Sequence, residues 1–369
     1  MRAQLEIRVP LVDLGPSHAP LKEALLDEIA GLIDSGAFVN GPQVSRFEEA
    51  FAAYCGTSYC VGVSSGIDAL QLALEALGIE RGDEVVVPAH TFAATFAAVT
   101  NVGGVPVPVD VGETDYCLDA NGIRGSSRFV VPVHLYGQMA DMAAIEDVAR
   151  QLGMAVVEDA CQAHGASRDG RRAGTTGAAA AFSFYASKNL GAMGDAGAVV
   201  TADEKVAERV RMLREHGQLG KYRHEVPGHT ARLDTMQAIV LLHKLRRLDA
   251  WNEERRAAAS FYTEALEGVG GLRLPPVSRA SEPVWHLYVV RTAERDELAS
   301  FLAGRGIATG LHYPEPPHLS PAFSRLGYTR GDFPVAEALA DEGLSLPLFP
   351  GITDEQLEAV RSAIADYFG

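Results

Sequence analysis

The stretch YCVGVSSGIDALQLALEA, residues 59–76, predicts a strand, a tight turn and a helix in immediate succession. An apolar strand covers Tyr59–Val63, small polar residues make the turn at Ser64–Gly66, and apolar residues at helical spacing follow over Ile67–Ala76. Free backbone N–H groups at the start of such a helix favour an anion, and an ordinary serine-capped helix explains this segment equally well.

Short apolar runs alternate with amphipathic stretches on both sides of this unit, from about residue 45 to 215. The other predicted strands are Glu84–Val87, Pro106–Val109, Phe129–Val133, Ala155–Glu158, Ala178–Phe184 and Gly197–Thr201. The other predicted helices are Ser45–Tyr54, Thr91–Val102, Met139–Leu152 and Val206–His216. Such alternation predicts an α/β fold in which helices cover both faces of a mostly parallel sheet.

The length of 369 residues favours two domains. Residues 232–265 predict one long helix or two, and from about residue 270 short strands and helices follow, including Val284–Arg291 and Glu294–Gly304. We therefore expect a large α/β domain over residues 1–250, with the N-terminal segment, and a smaller α+β domain over residues 251–369.

The composition excludes several classes of function. A net charge of −16 argues against nucleic acid as a partner, and no apolar run approaches the roughly 18 residues of a membrane span. The four cysteines have no paired metal-ligand spacing, so we expect no metal and reduced thiols. The first residues contain no apolar core of a signal peptide, and the prediction is a cytoplasmic protein.

A single lysine, Lys188, lies in the run FSFYASKNLG, residues 182–191, between an apolar strand and small residues. An amine held in a partly dry pocket loses part of its preference for the charged form and becomes a nucleophile. That property is required of a lysine that forms a Schiff base with pyridoxal phosphate (PLP), although a lysine in a glycine-rich loop is more often simply solvated.

Other strand ends supply what PLP needs from a protein, namely an acid for the pyridine nitrogen, an anion site and a flat partner for the ring. Asp159 ends a buried strand, where a protonated pyridine would compensate its charge; an N-cap or a surface carboxylate is the alternative. Phe92 could stack on the ring or belong to the core, and Gln162 could reach the ring or be a solvated loop residue. Ser183 could add a hydroxyl to the anion site.

Six motifs in order complete a resemblance: SSGIDAL, VPAHTFAAT, VHLYGQ, VEDACQAHGA, FSFYASKNLGAMGDAGAVVT and RLDTMQA. Over nearly the whole length, the chain resembles the sugar aminotransferases of the DegT/DnrJ/EryC1/StrS family, which have the aspartate-aminotransferase-like fold (fold type I). The resemblance implies that Lys188 bonds PLP and that Asp159 binds the pyridine nitrogen. It further implies contacts to the cofactor from Gly66, Ile67, Phe92, Gln162 and Ser183.

The resemblance also implies a homodimer with shared active sites. Family members usually reach the neighbouring subunit's phosphate with an asparagine, and here His229 stands in its place. A histidine could donate to phosphate or turn away.

The residues around Lys188 resemble those of enzymes that aminate C3 of dTDP-3-keto-6-deoxyhexoses, with L-glutamate as the amino donor. Tyr185, His312 and Tyr313 would then contact the nucleotide sugar, or they pack at a domain seam. The alternatives are a C4 aminotransferase acting on a dTDP-4-keto-6-deoxyhexose and a keto-cyclitol aminotransferase. A deoxysugar dehydratase is disfavoured because such relatives replace the lysine with histidine, and a PLP-binding regulator is disfavoured because no basic DNA-binding region is present.

Overall fold

The computed structural model describes residues 8–125 and 127–369. Its strands are β1 Tyr59–Val63, β2 Glu84–Pro88, β3 Val105–Val109, β4 Phe129–Val130, β5 Ala155–Asp159, β6 Ser167–Arg168, β7 Arg171–Arg172, β8 Ala179–Ser183, β9 Gly197–Thr201, β10 Ser281–Glu282, β11 Tyr288–Arg291 and β12 Gly343–Leu346. Its α-helices are α1 Gly15–His18, α2 Lys22–Ser35, α3 Pro42–Cys55, α4 Gly66–Ala76, α5 Ala93–Asn101, α6 Met142–Leu152, α7 Glu204–Arg214, α8 Thr235–Leu245, α9 Leu248–Leu266, α10 Arg295–Gly304, α11 Pro334–Glu342 and α12 Asp354–Phe368. Short 3-10 helices cover Ala19–Leu21, Ala120–Gly122, Leu135–Gly137, Pro317–Leu319 and Pro321–Leu326.

The largest sheet of the described residues has the strand order β1-β9-β8-β5-β4-β2-β3. Parallel pairing joins β8, β5, β4, β2 and β3, and β9 runs antiparallel to both β8 and β1. All these strands except β9 therefore point the same way, which confirms the predicted mostly parallel sheet. The carboxyl ends of β1, β2, β5 and β8 consequently lie along one edge of the sheet, where ligands of such folds bind.

Both faces of this sheet are buried. Successive side chains of a strand alternate between the two faces, so neighbouring residues pack in different core clusters. Val85 and Val87 belong to the core cluster on one face, and Val86 belongs to the cluster on the other. None of the described helices is both long enough and apolar enough to cross a membrane.

Most predicted elements are present with shifted ends. Helix α5 begins at Ala93 rather than Thr91 because Phe92 is its N-cap, with an extended backbone at φ −67° and ψ 139°. Strand β4 stops at Val130, short of the expected Val133. The apolar periodicity over residues 232–265 resolves into two helices, α8 and α9.

A separate core cluster joins helices α9, α10 and α12 to the two-stranded antiparallel sheet of β11 and β12. Val9 packs in this cluster and makes a parallel bridge with Ile307, although the expected division assigns it to the first unit. Helix α9 runs through residue 250. The division into residues 1–250 and 251–369 stays a prediction.

Candidate active site

A cavity of about 340 Å³ opens at the carboxyl edge of the sheet. It is lined by residues at or shortly after the carboxyl ends of four strands that point the same way, in keeping with the usual location of ligand sites in α/β folds. Those residues are Gly66 and Ile67 after β1, Thr91 and Phe92 after β2, Asp159 and Gln162 at the end of β5, and Ser183 and Lys188 at the end of β8.

The N-terminus of α4 forms one wall of the cavity. Ser65 is the N-cap, and its hydroxyl accepts the backbone N–H of Asp68 at 3.1 Å. The N–H groups of Gly66 and Ile67 have no acceptor among the residues that the structure describes. A Cβ added to Gly66 would lie 2.6 Å from the Cβ of Ser183, so only glycine allows this close approach. Two free donors at a helix start make an anion site.

Asp159 is 5% exposed, and donors hold both of its carboxylate oxygens. Its Oδ2 accepts from the Thr95 hydroxyl at 2.9 Å, and its Oδ1 accepts from the backbone N–H of Cys161 at 3.2 Å. The Thr95 hydroxyl lies 2.9 Å from that of Thr91, so a short chain of hydroxyls orients the carboxylate. Sequence reasoning missed Thr95; its only signal is the four-residue spacing from Thr91.

Lys188 presents its amine to the same cavity. Burial lowers the pKa of Lys188, and this outweighs the nearby Cys161 and Asp159, which raise it. Its Nζ makes no hydrogen bond and no ion pair with the described residues. A lysine amine with a lowered pKa and no protein partner is prepared for nucleophilic chemistry.

Aromatic groups surround the opening of the cavity. Phe92 is 54% exposed, and its ring centroid lies 5.3 Å from that of Tyr313. Gln162 donates to the Tyr313 hydroxyl at 3.0 Å and accepts the backbone N–H of Tyr136 at 2.7 Å. Tyr185 is also exposed at the cavity, so flat apolar surface and polar tips are available together.

Asp195 and His286 also line the cavity, and sequence reasoning did not assign them a role. His312, which it did assign, also lines the cavity, and its Nδ1 lies 2.8 Å from the Ser345 hydroxyl. Burial lowers the pKa of His312 to about 4, helped by the charge of Lys188. His229 lies elsewhere: its ring is 46% exposed and its Nε2 is 2.9 Å from the Glu75 carboxylate.

Comparison with known proteins supports the same chemistry. The DegT/DnrJ/EryC1/StrS aminotransferase family matches residues 20–365. A curated relative from Streptomyces venezuelae, dTDP-3-amino-3,4,6-trideoxy-alpha-D-glucose transaminase, is 48% identical over 98% of this chain and 96% of its own length.

Two solved structures are similar over nearly the whole fold. The X-ray structure of S. venezuelae DesV in complex with a ketimine intermediate has a TM-score of 0.95 and 48% identity, and the match covers 98% of each chain. The structure of NtdA from Bacillus subtilis with bound cofactor PMP has a TM-score of 0.89 and 29% identity. That match covers 100% of this chain and 87% of the other.

The fold and the site together define a PLP-dependent aminotransferase of the aspartate-aminotransferase-like fold. More narrowly, this chain belongs to the DegT/DnrJ/EryC1/StrS aminotransferase family. It is therefore a PLP-dependent sugar aminotransferase.

The residues present are suited to PLP. The cofactor needs a nucleophilic amine, an anion site and a buried acid, and the cavity contains Lys188, the free N–H groups of Gly66 and Ile67, and Asp159. The tight contact between Gly66 and Ser183 leaves the helix start open towards the cavity rather than covered by a side chain.

Proposed function

We propose that this enzyme transfers the amino group of L-glutamate to C3 of a dTDP-3-keto-6-deoxyhexose, with Lys188 as the residue that bonds PLP. The observation that carries the proposal is the meeting, in one cavity, of an unpaired Lys188 amine with a lowered pKa and a buried Asp159 carboxylate held by two donors. When bound, PLP supplies an electron sink that lets a proton leave the carbon bearing the amine.

Lys188 is the proton carrier in this proposal. Because burial lowers its pKa, a larger share of the free amine is neutral near pH 7 than for an ordinary lysine. A neutral amine can take a proton from the substrate carbon and return it at a neighbouring atom, acting as general base and then as general acid.

The other residues hold and orient the cofactor. The Asp159 carboxylate would pair with the protonated pyridine nitrogen. Hydrogen bonds from the Thr95 hydroxyl and the backbone N–H of Cys161 already hold this carboxylate in one orientation. The N–H groups of Gly66 and Ile67 would bind the phosphate, with the Ser183 hydroxyl as an additional donor. Phe92 would cover one face of the ring, and Gln162 would contact the ring oxygen with the hydrogen that Tyr313 does not use.

The choice of C3 is supported by the relative with 48% identity, whose name specifies a 3-amino sugar. Tyr185, His312 and Tyr313, which border the cavity, would contact the sugar or nucleotide. A C4-keto sugar and a keto-cyclitol are the alternatives. We expect the pyridoxamine form to react faster with a dTDP-3-keto sugar than with its 4-keto isomer in a single turnover. A faster reaction with the 4-keto sugar would reject the 3-keto assignment.

A homodimer with shared active sites belongs to the same proposal. His229 lies outside the cavity of its own chain, and its half-exposed ring, which now contacts Glu75, would turn to the neighbouring subunit's phosphate in the proposed dimer. Exposed apolar side chains at the end of α2 and just after it, Ile33, Phe38 and Val39, offer contact area for a second copy. Light scattering should give twice the chain mass, and a monomeric active enzyme would contradict this part.

The cytoplasm is the expected location. The structure leaves all four cysteines, Cys55, Cys60, Cys117 and Cys161, as free thiols, which is typical of a reducing compartment.

A further inference from the structure

The segment Val284–Leu287 brings to the cavity a histidine, His286, that the proposed function does not use. The backbone N–H of Val284 donates to Gly137 O at 2.9 Å, and a Cβ on Gly137 would lie 2.7 Å from the backbone N of His286. Trp285 in this segment has a φ of 46°, in the left-handed region that a tryptophan rarely adopts. Such strained residues persist where the surroundings enforce them, often at functional sites.

The neighbour of His286 is an amide whose orientation is determined by the backbone. Asn189 Nδ2 donates to Val284 O at 2.8 Å and to Asn252 Oδ1 at 2.9 Å. A carbonyl oxygen can only accept, so the nitrogen of Asn189 must face Val284 and its Oδ1 must face His286. Asn252 Nδ2 in turn donates to His164 O at 2.9 Å, which determines the orientation of the second amide.

This chain of amides determines the tautomer of His286. Its Nδ1 lies 3.2 Å from Asn189 Oδ1, an atom that can only accept a hydrogen bond. Nδ1 therefore carries the hydrogen, and in the neutral ring Nε2 is an acceptor. No hydrogen bond to Nε2 is made by the residues that the structure describes, and the ring lines the cavity that contains Lys188.

The surroundings keep this ring neutral. Burial lowers the pKa of His286 well below its usual 6.5, and the charges of Lys188 and Arg255 lower it further, followed by His164 and His312. The guanidinium of Arg255 also lies 3.5 Å from the backbone oxygen of His286 itself. The lone pair on Nε2 is therefore available at neutral pH.

We propose that Nε2 of His286 accepts a hydrogen bond from the Lys188 amine while that amine is free and carries the transferred proton. The inference rests on the proposed role of Lys188. An ammonium group in a dry cavity is costly without acceptors, and the described residues give Lys188 Nζ none. The imidazole stabilises the protonated amine without taking its proton, so the proton stays on Lys188 for return. His286 is thus a positioning residue for the lysine.

Two substitutions separate the roles of the two ring nitrogens. His286→Asn keeps a donor towards Asn189 but places no atom at the position of Nε2, whereas His286→Gln can place its Oε1 there.

In the pyridoxamine phosphate form of the holoenzyme, Lys188 is free. The pH dependence of its acylation by acetic anhydride, followed by mass spectrometry, then gives its pKa. Exposed Lys205 serves as the internal reference.

We expect His286→Asn to lower this pKa by about one unit and His286→Gln to restore most of it, because a hydrogen bond to a charged group favours the charged form. Equal values in the wild type and His286→Asn would overturn the proposal, as would a fall that glutamine does not reverse. The proposed function would fail differently: borohydride reduction of the PLP form would attach the cofactor to a lysine other than Lys188.

The wild-type holoenzyme provides a measurement that does not depend on how the variants fold. In ¹⁵N spectra of histidine-labelled protein, His286 should show a protonated Nδ1 and an unprotonated Nε2. The Nε2 signal should shift between the pyridoxamine form, in which Lys188 is free, and the PLP form. A protonated Nε2, or a signal that is the same in both forms, would refute the inference.

Discussion

Two lysines of the described residues have a pKa lowered by burial, Lys188 and Lys244, and their surroundings distinguish them. The pKa of Lys244 falls to about 8, but its Nζ donates to Gly191 O at 2.5 Å and lies 3.2 Å from His18 Nε2. Lys188 has no such partners and faces the cavity. Burial alone therefore does not distinguish the two lysines; the lack of a hydrogen-bond partner among the described residues distinguishes Lys188 and supports its proposed role.

On the proposed function, replacing Lys188 by alanine removes both the amine that bonds PLP and the proton carrier. We expect Lys188→Ala to lower kcat at least about 1000-fold while circular dichroism shows an unchanged fold. The exposed residue Lys205 provides a matched control, since Lys205→Ala should retain full activity. Transamination by Lys188→Ala near the wild-type rate would contradict the assigned role.

Thr95 illustrates what a strand-end pattern does not reveal. Asp159 could be chosen from the sequence because it follows a buried strand, but its orientation depends on a hydroxyl 64 residues away along the chain. Such a contact depends on how β2 and β5 are placed in the sheet, and no local pattern encodes it.

Thr95→Val keeps the shape of the side chain and removes its hydroxyl, so Asp159 loses one of its two donors. We expect the dissociation constant for PLP to rise about tenfold, because a hydrogen bond to a charged group is worth about 1.5–3 kcal/mol, part of which solvent recovers. Thr95→Ser retains the hydroxyl and should bind PLP nearly as tightly as the wild type. Equal affinity of the valine and serine variants would show that the bond does not matter.

At the scale of elements, the turn between β1 and α4 depends on a single glycine. Gly66→Ala would force a Cβ to within 2.6 Å of the Ser183 Cβ, so the helix start must move away from the anion site. We expect PLP affinity to fall at least about tenfold. Gly31→Ala in α2 meets nothing within 4 Å and should stabilise the protein by about 0.5–1 kcal/mol without affecting PLP. Unchanged cofactor binding in Gly66→Ala would contradict the close approach.

Next to Asp159 in the chain, a second carboxylate contacts several elements of the fold. Glu158 is fully buried, and it accepts hydrogen bonds from His134 Nε2 and from the N–H groups of Gly174, Thr176 and Gly177. Sequence reasoning assigned Glu158 no role, since successive strand residues point to opposite faces and Asp159 faces the predicted site. Burial would raise its pKa, but these hydrogen bonds, chiefly that of His134, lower it overall.

Glu158→Gln replaces an acceptor oxygen by a donor that faces other donors. We expect it to lower the free energy of unfolding by about 3 kcal/mol, measured by urea denaturation. Glu49→Gln at an exposed position of α3 is the control and should have little effect. The pKa of Glu158 in the folded protein lies below its usual value of 4.5. The ionised carboxylate therefore contributes its full stabilisation above pH 4.5, and this contribution is lost as the pH falls through the pKa of the folded state. The difference in free energy of unfolding between Glu158→Gln and the wild type should therefore become smaller at acidic pH. A difference that does not change with pH would contradict an ionised Glu158.

For the whole molecule, the alternation of strands and helices predicted a mostly parallel sheet, and the strand ends predicted which residues meet. This succeeded because apolar periodicity is local and because parallel strands bring their carboxyl ends to one edge. His286 could not be found this way, since it meets Asn189 across 97 residues of chain. The antiparallel β9, which lies between β1 and β8, likewise follows from the packing of the whole sheet.

The central claim is that Lys188 holds the cofactor, and borohydride reduction of the purified PLP form tests it most directly. Peptide mapping by mass spectrometry should find the reduced cofactor on Lys188, within the segment of residues 182–191. Attachment to Lys244, the other lysine with a pKa lowered by burial, or to any other lysine would contradict the account.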